Sequence, residues 1–154
     1  MAVDPEDFEP DEHVRFARYR RAFAEVAPGD AADLAARVLT DPEPSMGSSA
    51  VCEYLDRRAA ELLTDPGFPA WRRELADAVA GDPFAVRRLR DWALLRAITL
   101  DEPWEESRLL TADSWLQEHL ARDSSARRVL TPLADGGRAR RIRNIAASRL
   151  RRLR

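Results

Sequence analysis

Three times the chain closes an apolar stretch on the dipeptide Asp-Pro: Val38-Leu39-Thr40-Asp41-Pro42, Leu62-Leu63-Thr64-Asp65-Pro66 and Val79-Ala80-Gly81-Asp82-Pro83. Proline lacks an N–H and its ring clashes with the preceding turn, so it breaks a helix interior. At the first helical position it loses no hydrogen bond, and an aspartate just before it accepts from free first-turn N–H groups. Each Asp-Pro therefore reads as a corner between helices. Between the corners, apolar residues recur every three or four positions. No stretch alternates convincingly between apolar and polar, and β-branched residues are scarce. The chain is predicted to be all-α.

The helical stripes follow the corners. Phe16, Tyr19, Phe23, Val26 and Ala27 predict a helix from Glu12 to Ala27, with Arg15, Arg18, Arg21 and Glu25 on its solvated side. Pro28-Gly29 ends it, and a second helix over 31–40 carries Leu34, Val38 and Leu39. Residues 41–49 read as the clearest loop, with a third helix over 50–64 and a fourth over 69–80. The fifth, 83–98, has two apolar faces: Val86, Leu89, Ala93 and Ala97 on one, Phe84, Leu94, Leu95 and Ile98 on the other. Two such faces predict a helix sandwiched between neighbours. Leu109, Ala112, Leu116 and Leu120 align along a sixth segment, 103–121. A short seventh helix ends near Ala134. Asp135-Gly136-Gly137 makes a turn before the last helix, 138–153, with Ile142, Ile145, Ala146, Leu150 and Leu153 as its stripe. Residues 1–12 hold six acids and two prolines and read as a flexible acidic arm; 13–154 reads as one helical domain.

The charge is unevenly spread. All 25 basic residues are arginine, which with the abundant alanine fits a GC-rich coding sequence. Residues 1–126 carry 15 Arg against 26 acids, whereas 127–154 carry 10 Arg against Asp135 alone. A basic end of this kind either docks an acidic partner or lies on its own acidic body. No apolar run approaches the roughly 20 residues of a membrane span. The start shows no basic-then-apolar leader, so a cytoplasmic protein is expected.

The motif Asp82-Pro83-Phe84-Ala85-Val86-Arg87, followed by Ala93-Leu94-Leu95, resembles the second helix of a HEAT repeat. Ile142-Arg143-Asn144-Ile145-Ala146-Ala147, with Leu150 behind it, is similar. The resemblance covers about 82–154 and more weakly 31–80. It implies an α-solenoid, an irregular stack of about seven or eight helices, with an irregular helical bundle as the alternative. It also implies that Asp82, Arg87 and Arg143 form a hydrogen-bond ladder from repeat to repeat. The second copy departs from the pattern in having Arg138 where the ladder aspartate belongs. The copies lie 56 positions apart, more than one HEAT unit of roughly 40.

Little points to catalysis. The only cysteine, Cys52, excludes an internal disulfide and a multi-cysteine zinc site, and its apolar neighbours Val51 and Tyr54 predict a buried, inert thiol. His119 follows Trp115 by four residues and is expected to pack on that ring; His13 is expected to be solvated. Glu102, Glu105 and Glu106 cluster where acids favour a helix start. No metal or phosphate motif occurs, and no cofactor is expected. Two charges sit in apolar stripes. Asp91 is expected to pair with Arg87, and Arg149 to extend its stem to water. Asp91 is the one catalytic candidate left.

The expected function is a non-catalytic macromolecular interaction module, an adaptor or scaffold with a protein partner. A patch involving Trp71, Trp92, Trp104 or Trp115 would mark its docking surface, although core packing is the plainer expectation for each. Nucleic-acid binding through Arg138, Arg140, Arg141, Arg143, Arg151, Arg152 and Arg154 is the alternative. A small immunity or antitoxin protein using its acidic face is a third.

Overall fold

A computed structural model describes residues 11–153. The acidic arm expected at 1–12 lies outside them apart from Asp11 and Glu12, as does Arg154. The described residues form nine α-helices and no strand. The chain divides into two compact units, the first ending at Leu89 and the second beginning at Arg90.

The first unit holds α1 (Glu12–Glu25), a 3-10 turn (Pro28–Asp30), α2 (Ala31–Val38), α3 (Pro44–Leu62), α4 (Phe68–Ala78) and the start of α5 (Pro83–Thr99). Helix α1 packs on α3, and α2 on α4. Aromatic rings fill the space between them. Phe23 stacks on Tyr54 with centroids 4.7 Å apart, and Trp71 donates its indole N–H to the Tyr54 hydroxyl at 3.3 Å. Val51, Leu55, Phe68, Leu75 and Val79 complete this core.

Helix α3 starts six residues before the expected 50. Pro44 takes its first turn, and the loop shrinks to 39–43. The reason is Gly47, buried so close to α2 that a Cβ there would lie 2.5 Å from the Val38 carbonyl oxygen. Ser-Met-Gly-Ser reads as loop composition, but here glycine serves close packing.

Arg15 is also corrected. It is not on a solvated face: it is 8% exposed and paired with Asp41. Its Nε donates to Asp41 Oδ2 at 2.9 Å and its Nη2 to Oδ1 at 3.3 Å, while the Tyr19 hydroxyl donates to Oδ2 as well.

All three Asp-Pro corners share one device. The aspartate Oδ1 accepts the backbone N–H two residues on: Glu43 at 2.8 Å, Gly67 at 2.7 Å and Phe84 at 3.3 Å. Proline between them has no N–H to offer, so the carboxylate reaches the next donor.

The second unit holds the rest of α5, then α6 (Glu106–Thr111), α7 (Ser114–Asp123), α8 (Arg127–Gly136) and α9 (Arg140–Arg152). The expected sixth helix is two helices, which raises the count above seven or eight. Its four aligned residues are all buried, but the backbone breaks at Ala112 and Asp113, both extended. Helix α6 packs on α8, and α7 on α9. Gln117, fully buried, holds the break: its amide donates to the Leu109 and Leu110 carbonyls at 2.8 and 3.2 Å, and its Oε1 accepts the Arg138 N–H at 2.9 Å. Gly137 allows the α8–α9 turn, since a Cβ there would meet Leu133 O at 2.6 Å.

Helix α5 ends on a left-handed residue, Asp101, with φ 56°. The Glu102 N–H reaches the Ala97 carbonyl at 2.8 Å and the Asp101 N–H reaches Ile98 at 3.3 Å. This pair of bonds is the Schellman closure, usually built on glycine.

Candidate functional site

A concave feature lies within the first unit, between the N-terminal half of α3 and the α4–α5 corner. It is an open groove of about 1100 Å³. Its floor is one face of α3: Ser45, Ser48, Ser49, Cys52 and Asp56 recur at helical spacing, and all but the last are small. Leu39, Pro44, Ala78, Gly81, Pro83 and Phe84 complete the lining.

Phe84 is 62% exposed, the most exposed large apolar side chain among the described residues. It was expected inside a sandwiched α5, but it sits in the first turn, ahead of Ala85, Leu89, Leu94 and Leu95, which are the buried positions. The Arg87 guanidinium lies over its ring, 4.9 Å from the centroid.

Charge surrounds the groove. Glu43, Glu53, Asp56 and Asp82 line it against one guanidinium, Arg88. Arg88 faces Asp56 at 3.4 Å, and Arg20 pairs with Glu53 at 2.7 Å. Glu43 accepts from the Ser45 hydroxyl at 3.1 Å. Asp82 caps α5 with Oδ1, while its buried Oδ2 has no hydrogen-bond partner. Cys52 is half-buried rather than fully buried. Burial pushes its thiol pKa up, against the opposing pull of Arg88, so the thiolate is scarce at neutral pH.

Of the residues expected to form a ladder, Asp82 lines the groove and accepts the Phe84 N–H, and Arg87 lies over the Phe84 ring. Arg143 is in the second unit, where its Nη1 donates to the Gly137 carbonyl at 2.6 Å.

The arginines at the basic end divide into two groups. Arg138 faces Asp113 at 3.5 Å and Arg141 faces Glu118 at 3.2 Å, both acids belonging to α7 or its cap. Arg140, Arg151 and Arg152 are exposed along α9. Arg149, half-buried, donates to the Ser124 carbonyl, with Nη2 at 3.0 Å and Nε at 3.3 Å.

Asp91 is 6% exposed, and its Oδ2 accepts the Asp113 N–H at 3.2 Å, which ties the start of α7 to α5. That bond gives the carboxylate a structural task. His119 is exposed and pairs with Asp123 at 3.1 Å, and the Trp115 ring tilts against Trp92 with centroids 5.2 Å apart. His13 is exposed, as expected. Trp71 is buried, and Trp92, Trp104 and Trp115 are half-buried. Among the described residues the exposed aromatic is Phe84, not a tryptophan. Among the described residues no three His, Cys, Asp or Glu side chains come together to hold a metal, and no helix is long and apolar enough to cross a membrane.

No protein-family model, curated protein or solved structure matches this chain.

Proposed function

We propose that the chain is a non-catalytic interaction module, a HEAT-like adaptor or scaffold that docks a protein partner in the α3–α5 groove. One observation carries this reading: Phe84 stands 62% exposed at the edge of an open groove. A rigid aromatic beside a concave surface and ringed by charge is the usual anatomy of a binding hot spot. The packing order supports the HEAT-like part. In stacked helix pairs, first helices pack on first and second on second. Here α1 meets α3 while α2 meets α4, and in the other unit α6 meets α8 while α7 meets α9.

The test is selection of a displayed peptide library on the protein, with Phe84→Asp as counter-target. Enriched peptides are expected to bind the native chain and lose at least tenfold against the variant. No enrichment, or equal binding to both, ends the reading.

The exposed arginines of α9 favour a second reading, nucleic-acid backbone binding. Residues 136–154 contain no acid. Phosphate contacts would give an affinity that falls steeply with salt. A labelled duplex left unbound at low salt removes this alternative.

A further inference from the structure

The groove's chemistry narrows what fills it. Its about 1100 Å³ exceeds the roughly 300–1,000 Å³ of a small-ligand pocket, and it is open to solvent. The floor is a helix face of serines and Cys52, so nothing bulky keeps a second backbone away. Phe84 and Leu39 add apolar surface to the lining. The polar lining is predominantly acidic, four carboxylates against Arg88. Two of these, Glu43 and Asp82, have no arginine partner among the described residues.

We propose that this groove binds an amphipathic helix of a partner protein, which lays an apolar stripe across Phe84 and the small-residue floor and points arginine or lysine at Glu43 and Asp82. The inference rests on the docking reading above and adds the partner's chemistry. A helix-in-groove complex is read through anchors at i, i+3, i+4 and i+7, the same spacing that the floor of α3 presents. Basic flanks supply selectivity and a faster encounter, because an acidic segment meets like charge at the rim. The apolar anchor supplies most of the affinity, and the rim excludes the wrong partners.

Cys52 is a built-in reporter, being the chain's only cysteine and part of the floor. Three fluorescein-labelled helical peptides of about 18 residues share one leucine stripe and carry Arg, Gln or Glu elsewhere. Polarisation measures binding to the full chain. Maleimide labelling of Cys52, followed by mass, measures occupancy of the groove. The Arg peptide is expected to bind in the micromolar range and to slow Cys52 labelling at least tenfold. Phe84→Ala, an exposed site that leaves the fold intact, is expected to weaken it about tenfold. The double variant Glu43→Gln, Asp82→Asn retains an amide cap on α5 and is expected to lose most preference for Arg over Gln.

An Arg peptide that binds while leaving Cys52 unprotected, or that ignores Phe84→Ala, overturns the proposal. So does equal protection by the Arg and Glu peptides; in that case docking stands and the partner's charge does not. Protection by none of the three overturns both this inference and the docking reading.

Discussion

Arg15 Nε donates to Asp41 Oδ2 at 2.9 Å across 26 residues, tying the first helix to the first Asp-Pro corner. At this corner an arginine and a tyrosine hydroxyl join the backbone N–H on the aspartate. The Asp41 side chain is fully buried and that of Arg15 is 10% exposed. A buried pair adds little over a well-packed apolar pair, but removing one partner strands the other's charge. Arg15→Met and Asp41→Asn are each expected to lower the melting midpoint by several degrees, and the double variant to recover part of the loss. Single variants that melt like the native chain would remove the pair from the account of stability.

The same cluster sets a pH dependence at both ends. Burial works to raise the Asp41 carboxyl pKa, but the hydrogen bonds from Arg15, Tyr19 and the Glu43 N–H prevail and hold it below the usual aspartate value. Its contribution is therefore present above about pH 4 and lost as pH falls through the lowered value. The Tyr19 hydroxyl moves the other way, pushed up to about 12 by burial first and then by its hydrogen bond to Asp41. Its contribution is full below about pH 10 and lost as pH rises towards 12. Urea midpoints across pH for the native chain and Tyr19→Phe provide the check. An alkaline decline of equal size in both means Tyr19 is not its source.

Glycine to alanine inside a helix normally stabilises by about 0.5–1 kcal/mol. At Gly47 the sign is expected to reverse. The new methyl would lie 2.5 Å from Val38 O, backbone that must move for it. Overpacking of this kind costs about 1–3 kcal/mol. Gly47→Ala is therefore expected to lower the urea midpoint, and a neutral or stabilising result would contradict the close α2–α3 packing.

Gln117→Leu keeps the volume and deletes the polar atoms. It strands the Arg138 N–H, and leaves the Leu109 carbonyl only its bond from the Ala112 N–H. A stranded buried group costs about 1–3 kcal/mol. Denaturant unfolding should show a loss of at least that size, together with faster amide exchange at Arg138. Unchanged exchange there would count against the bond.

Asp101 occupies a backbone region that β-branched residues avoid. Asp101→Val is expected to cost about 1–3 kcal/mol through strain, while Asp101→Asn stays close to native stability. Equal thermal midpoints for both variants would show that the α5 end does not hold this conformation in solution.

The amino-acid sequence by itself determined the all-helical class, the corners at Asp41, Asp65 and Asp82, and most of the buried stripes. These follow from local rules: helical period, proline's missing N–H, and a short carboxylate within reach of the backbone two residues on. The α3 start, the break at Ala112, the inward Arg15 and the outward Phe84 were decided only by tertiary structure. Gly47 reads as a loop residue until α2 lies against it, and Arg15 reads as solvated until Asp41 arrives from 26 positions away. Phe84 matches the apolar stripe of α5 by period, yet it stands exposed while Ala85 beside it is fully buried, and spacing along one helix carries no information on which face its neighbours cover. The groove lay beyond the sequence for the same reason: serines, one cysteine and a phenylalanine from separate segments become a surface only when α3 and the α4–α5 corner meet.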